Sequence, residues 1–242
     1  MGSSRDLNWE ALRFPTCDLI NLGDAFSEEE VLSAIKSMPS DKASGPDGFT
    51  GAFFKSCWPT IKNDVMNVVQ QFSDLRTGSF HWLNSANIAL LPKKEGVEEI
   101  FDYRPISLIH AMAKIIAKMT SLRLAPHMDT LVSKSQSAFI KGRGIHYNFM
   151  CVRNYVRRMH RTNTPTILLK LDIKKAFDSV RWSFLLDLLQ NLGFPAKFRN
   201  WVAALLVTAS SRVMLNGVPG LPIIHGGALG KVIPSLRCFL TS

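Results

Sequence analysis

An apolar run that ends in acid constrains this chain more than any other stretch: Thr166-Ile167-Leu168-Leu169-Lys170, followed by Leu171-Asp172-Ile173-Lys174-Lys175-Ala176-Phe177-Asp178. Its aliphatic and β-branched content predicts a strand over 166–170. A strand that ends in a carboxylate delivers that carboxylate, rigidly held, to a sheet edge, so Asp172 is the first candidate metal ligand. Phe177 and Asp178 follow a short polar break, and the chain is expected to turn there and bring an aromatic ring back over the same cleft. A plainer reading stays open, in which Asp172 ends a strand, Phe177 is core and Asp178 caps the next helix.

The rest of the chain reads as mixed α and β. Ser27-Glu28-Glu29-Glu30 is a capping box that opens a helix carrying Val31, Ile35 and Met38, and Asp41 to Gly48 breaks it with Gly and Pro. A second helix is expected from Phe53 to Phe72. Trp82 to Leu91 turns β-like, and the chain is expected to fold back as a hairpin through Tyr103 to Ile106 across the acidic loop Glu95 to Asp102. Apolar residues at helical spacing predict further helices over 107–128, 148–159, 183–192 and 195–207. Asn216-Gly217, between Val213-Met214-Leu215 and Val218, is a strong hairpin signal. No internal repeat or low-complexity linker is present.

Charge narrows the partners. Lys and Arg number 29 against 19 Asp and Glu, a net +10 that favours polyanions through phosphate neutralisation. The 242 residues suit one sizeable domain or two small ones, and 46% apolar content is that of a packed globule. Cys17, Cys57, Cys151 and Cys238 lack Cys-x-x-Cys spacing, which suggests neither a zinc site nor a disulfide framework and makes a reducing intracellular compartment the default. No apolar run reaches the roughly 18 residues of a membrane span, so no membrane partner is expected.

Asp172-x-x-x-x-Phe177-Asp178 resembles the first palm motif of reverse transcriptases, and other segments match that family in order. Lys42-Ala43-Ser44-Gly45-Pro46-Asp47-Gly48, Leu90-Leu91-Pro92-Lys93-Lys94 and Asp102-Tyr103-Arg104-Pro105-Ile106-Ser107-Leu108 are similar to its Lys-Ala-x-Gly-Pro-Asp-Gly, Leu-Ile-Pro-Lys and Tyr-Arg-Pro-Ile-Ser segments. Gln136 to Arg143 and Arg212 to Gly217 extend the resemblance, which covers roughly Phe26 to Ile224 and points to non-LTR, LINE-type retrotransposons, especially plant members. It implies an α+β fold, the fingers and incomplete palm of a right-hand polymerase, helix-rich with a small antiparallel sheet.

The chemistry implied by the resemblance is template-directed nucleotidyl transfer by two metal ions, Mg²⁺ or Mn²⁺. Its partners are an RNA template, a DNA primer and deoxynucleotide triphosphates. Asp172 and the carbonyl of Ile173 then hold metal, Asp178 is a second catalytic candidate, and Phe177 lies under the sugar, where a bulky ring excludes a ribose 2′-hydroxyl. Arg104 is a candidate triphosphate clamp, with Lys93 and Lys94 beside it; each also reads as an ordinary surface cation. Lys141, Gly142 and Arg143 suit a template contact, or else a solvated turn. Arg153, Arg157, Arg158 and Arg161 fall at roughly helical spacing, which fits a solvated helix face.

The chain departs from the family near its end. Where these polymerases continue Gly-Leu-Arg-Gln-Gly-Asp-Pro-Leu-Ser-Pro-Leu-Leu-Phe and later present an Ala-Asp-Asp turn, this chain runs Ala228-Leu229-Gly230-Lys231-Val232-Ile233-Pro234-Ser235-Leu236-Arg237-Cys238-Phe239. A coding sequence for the family segment, read one base late, translates to those twelve residues. The expected organisation is thus a lead-in over 1–25, a partial reverse transcriptase domain over 26–225 and a frameshifted tail over 226–242. Lacking the second acidic strand, the chain is expected to bind metal weakly or not at all and to be inactive alone. A non-catalytic nucleic-acid-binding fragment, or a retroelement relic without function, are the alternatives.

Overall fold

The computed structural model describes residues 8–12, 14–15, 17–76, 78–138, 140, 142–169, 171 and 180–226. Its first helix, α1 (Glu28–Ser37), begins where the capping box places it. Ser27 Oγ accepts from the Glu30 N–H at 3.2 Å and Glu30 Oε2 accepts from the Ser27 N–H at 2.9 Å. The helix expected over 53–72 is two, α2 (Gly51–Ser56) and α3 (Trp58–Ser73). Pro59 sits in the first turn of α3, where its missing N–H leaves nothing unmade, whereas within one continuous helix it would break a bond and clash. A single turn, α4 (Phe80–Leu83), takes up Trp82 before strand β1 (Ser85–Pro92) starts.

β1 pairs antiparallel with β2 (Tyr103–Ile109) in the register Leu91 to Arg104 and Ala86 to Ile109, as the hairpin signal predicts. β2 runs three residues past Ile106, so the helix expected from Ser107 starts at Ala111 as α5 (Ala111–Leu124), followed by a 3₁₀ turn and the short α6 (Met128–Leu131). Beyond lie α7 (Ile145–Arg161), α8 (Trp182–Asn191) and α9 (Ala196–Val207), then β3 (Ser210–Leu215), β4 (Val218–Pro219) and β5 (Ile223–Ile224). Asn216 and Gly217 carry φ of 50° and 79° at the β3–β4 turn, the left-handed pair a two-residue hairpin demands.

The sheet order is β2-β1-β3-β4, with β5 also on β3. It is mixed rather than wholly antiparallel, because β3 lies parallel to β1 with Ser85 opposite Ser210 and Ile88 opposite Val213. β3 arrives through helices, and a helical crossover is what parallel neighbours require. No strand forms over 166–169: among the described residues that segment has no neighbour to complete a ladder, and Ile167, Leu168 and Leu169 stand 93%, 72% and 73% exposed.

One core joins both ends of the chain. Trp201, Phe198, Phe72, Ile35, Ile115 and Ile116 are buried, and Trp201 stacks on Phe26 at 4.7 Å and donates through Nε1 to the Ser73 carbonyl at 3.0 Å. Leu19, Leu22 and Phe26 belong to this core. Asn84 Nδ2 donates to the Leu205 carbonyl and to Thr208 Oγ1, tying the end of α9 to the start of β1. α5 lies against one face of the sheet, where Ala86 and Ile109 meet Ala113.

Candidate functional site

Because α5 covers one sheet face, the alternation of β side chains leaves the other open. Asn87, Ala89 and Leu91 of β1 share that open face with Arg104, Ile106 and Leu108 of β2 and with Arg212 of β3, which is registered opposite Asn87. Arg104 is exposed and Arg212 half-buried, and neither has an ion-pair partner among the described residues. The two guanidinium groups stand on either side of β1, Arg104 at the level of Leu91 and Arg212 at the level of Asn87, with apolar Ala89 and Ile106 at the level between, a surface that can hold an anion beside a flat hydrophobic group. Arg212 has no signal of its own in the sequence. Only the parallel β1–β3 register carries it to the same face as Arg104.

The two lysines at the hairpin end differ from Arg104. Lys93 Nζ donates to the Phe101 carbonyl and its N–H to the Asp102 carbonyl at 2.9 Å, which closes the 93–102 loop. Lys94 pairs with Asp102 at 3.2 Å on the surface. Both cations stand near Arg104 but serve first to shape the loop, and an exposed pair of this kind contributes at most about 1 kcal/mol.

Arg143 is placed otherwise than a template contact requires. Nε and Nη2 donate to Asp129 Oδ1 at 3.1 and 2.9 Å, Nη1 to the Ser133 and Gln136 carbonyls at 2.7 and 2.9 Å, and Nη2 to the Val132 carbonyl at 3.1 Å. A guanidinium has five N–H donors, and here all five point into residues 129–136, which leaves none for a phosphate. Arg143 is therefore the organiser of the loop before α7, and Gly142 supplies the positive φ of 84° that lets the chain turn there. Lys141 lies outside the described residues, as do Asp172, Ile173, Phe177 and Asp178. Among the described residues no group of three His, Cys, Asp or Glu could hold a metal ion.

The 42–48 segment does a structural job that its spacing does not announce. Asp47 Oδ2 accepts from the Ala111 N–H at 2.6 Å and faces His110 Nδ1 at 3.6 Å, so a loop 64 residues away caps α5. Burial opposes ionisation of Asp47, but the facing His110 and the N–H groups of Ala111 and Phe49 outweigh it and hold the carboxyl below its ordinary range. Gly45 lies against the same junction, where a Cβ would stand 2.1 Å from the Ile109 carbonyl oxygen. Neither residue contributes to the open face directly; both fix the β2–α5 corner at Ile109, the end of β2 away from Arg104.

Residues 91–232 match the model of a family described as reverse transcriptase (RNA-dependent DNA polymerase). The chain is 30% identical over 207 residues to the Transposon TX1 uncharacterized 149 kDa protein of Xenopus laevis, an alignment covering 85% of this chain and 16% of the relative. It is 27% identical over 187 residues to the retrovirus-related Pol polyprotein from type-1 retrotransposable element R2 of Nasonia vitripennis, covering 76% and 17%. With the type-2 element R2DM polyprotein of Drosophila melanogaster the identity is 25% over 178 residues, covering 74% and 16%. The chain spans about a sixth of the length of these curated relatives.

Proposed function

Since the chain belongs to the reverse transcriptase (RNA-dependent DNA polymerase) family, with relatives among LINE-type retrotransposon proteins, we propose that its open sheet face holds the incoming deoxynucleotide of template-directed DNA synthesis. The observation that carries this reading is that Arg104 and Arg212 share one sheet face on either side of β1, with no ion-pair partner among the described residues. A planar guanidinium offers two parallel N–H groups to phosphate oxygens, and Ala89 with Ile106 supplies an apolar floor at the level between the two cations. Lys93 and Lys94, held at the hairpin end, add positive potential along the approach.

Enzymes of this family use divalent metal ions. In the proposed site Asp172 and the Ile173 carbonyl would hold one, with Asp178 as a second catalytic candidate, and hard carboxylate oxygens of this kind would suit Mg²⁺. When bound, such an ion activates the attacking hydroxyl and stabilises charge on the phosphorus. Phe177 sets the sugar choice by occupying the space a 2′-hydroxyl would need. The shifted frame from Ala228 belongs to the same reading: restoring one base near the codons for His225 to Gly227 is expected to reopen a frame encoding Arg-Gln-Gly-Asp-Pro, which sequencing of the coding region checks.

Nucleotide affinity tests the site in the chain as it stands. Arg104→Gln and Arg212→Gln, singly, are each expected to weaken deoxynucleoside triphosphate binding roughly tenfold or more, the loss of one charge-assisted contact, while a long template is retained. Unchanged nucleotide binding in both variants overturns the assignment.

A further inference from the structure

Between Thr130 and Leu171 the chain contains eight Lys and Arg and no Asp or Glu, so most of its net +10 is concentrated in one stretch. Half of those cations, Arg153, Arg157, Arg158 and Arg161, are on α7, all exposed and none with an ion-pair partner among the described residues. α7 has no buried residue and is held to the body at its first turns, where Asn148 Nδ2 donates to the Ser135 carbonyl and to Ser137 Oγ, each at 2.9 Å.

At about 100° per residue, α7 divides into two opposed stripes of identical spacing. Ile145, Phe149, Val152, Val156 and Met159 form an apolar one. Tyr147, Cys151, Asn154, Arg158 and Arg161 run along the far side, with Arg153 and Arg157 on one flank. The polar stripe begins at an open recess of about 410 Å³ beside Lys134, Ser137, Tyr147 and Asn148. A polar track thus runs from the recess, where Lys134 and Tyr147 stand with Asp129, along α7 to the four arginines of its second half, and α7 alone is about 25 Å long.

We propose that this track is a nucleic-acid contact separate from the open sheet face, gripping the phosphate backbone of a duplex without reading its sequence. The helix length corresponds to roughly seven base pairs at 3.4 Å each. A guanidinium with no competing carboxylate contributes its whole charge to counterion release. Two rival occupants fit less well. A helix lying on an anionic membrane carries its cations on both margins of the apolar stripe, whereas here they occupy one flank and the back. A second copy packed on the apolar stripe would bring two highly basic helices together. The choice of nucleic acid over other polyanions rests on the family reading; the location of the contact rests on α7 itself.

The test uses the full chain and a short RNA–DNA hybrid duplex, with binding measured across a salt series. Replacing Arg153, Arg157, Arg158 and Arg161 together by Gln is expected to reduce the slope of log affinity against log salt by about 3, and to weaken binding at low salt more than tenfold. The matching four-Lys variant keeps the charge and is expected to retain the parental slope. An unaltered slope in the Gln variant, an equal loss in the Lys variant, or a loss of binding to phosphatidylserine vesicles in place of the duplex overturns the proposal. The outcomes separate the two assignments: the Arg104 and Arg212 variants are expected to bind the duplex with parental slope. The α7 variant is expected to bind deoxynucleoside triphosphate normally.

Discussion

Arg123 and Arg143 each direct all five guanidinium donors into the fold, which separates them from Arg104 on the open sheet face. Arg123 forks onto both oxygens of Glu30, donates to the carbonyls of Leu22, Asp24 and Ala25, and lies 4.1 Å over the Phe26 ring. Truncating one partner of a fully buried pair costs about 3–5 kcal/mol. Because the Glu30 side chain is 34% exposed, Arg123→Ala is expected to cost about 2–3 kcal/mol, read as a lower urea midpoint at constant slope. Arg123→Lys keeps the charge, loses the fork and should recover only part of this. Glu30 and Asp47, the carboxylate that caps α5, contribute to the acid limit. Burial opposes ionisation of Glu30 as it does of Asp47, but the Arg123 and Ser27 hydrogen bonds prevail, so both folded pKa values lie below the unfolded ones. Their stabilisation is complete above the unfolded carboxylate range near 4 and is lost as pH falls through that range toward the folded values. Asp47→Asn should therefore flatten the acid limb of stability measured between about pH 6 and pH 3.

Among the elements, the β2–α5 corner depends on a loop from far upstream. Gly45 lets that loop touch the Ile109 carbonyl, and Asp47 caps Ala111. A methyl at Gly45 cannot be accommodated by a side-chain shift, because the obstacle is backbone, so Gly45→Ala is expected to cost about 3 kcal/mol, read as a lowered thermal midpoint. Gly78 is the control: nothing lies within 4 Å of its would-be Cβ, and Gly78→Ala should leave the thermal midpoint nearly unmoved. Equal effects at the two glycines would show that the corner is not fixed by this contact.

At the scale of the molecule, charge and exposed apolar surface oppose each other. Ile145, Phe149, Val152 and Val156 on α7 and Ile167 to Leu169 beyond it are largely solvent-facing, a surface that promotes association. The net +10 resists association at low ionic strength, where the screening length is long. Light scattering is therefore expected to rise with added salt, and Phe149→Asp, which interrupts the stripe on α7, should raise the salt concentration needed. Scattering that falls with salt would place the attraction in charge instead.

The sequence by itself determined the family, the α+β character and the ends of several elements. The capping box at Ser27, the Asn216-Gly217 turn and the β1–β2 hairpin are local, and local patterns report backbone geometry within a few residues. Its misreadings occur where a partner from elsewhere in the chain decides. Residues 166–169 have strand composition but, among the described residues, no neighbouring strand to complete them. Arg143, which reads as a phosphate contact, is saturated by carbonyls that the loop folds around it, and Arg123, which carries no motif, holds a carboxylate 93 residues away. Arg212 joins Arg104 on one face only through the parallel pairing of β1 and β3. Residue type and spacing specify what a side chain can bond. Which donors remain free for a ligand is decided by the distant groups that tertiary packing brings to them.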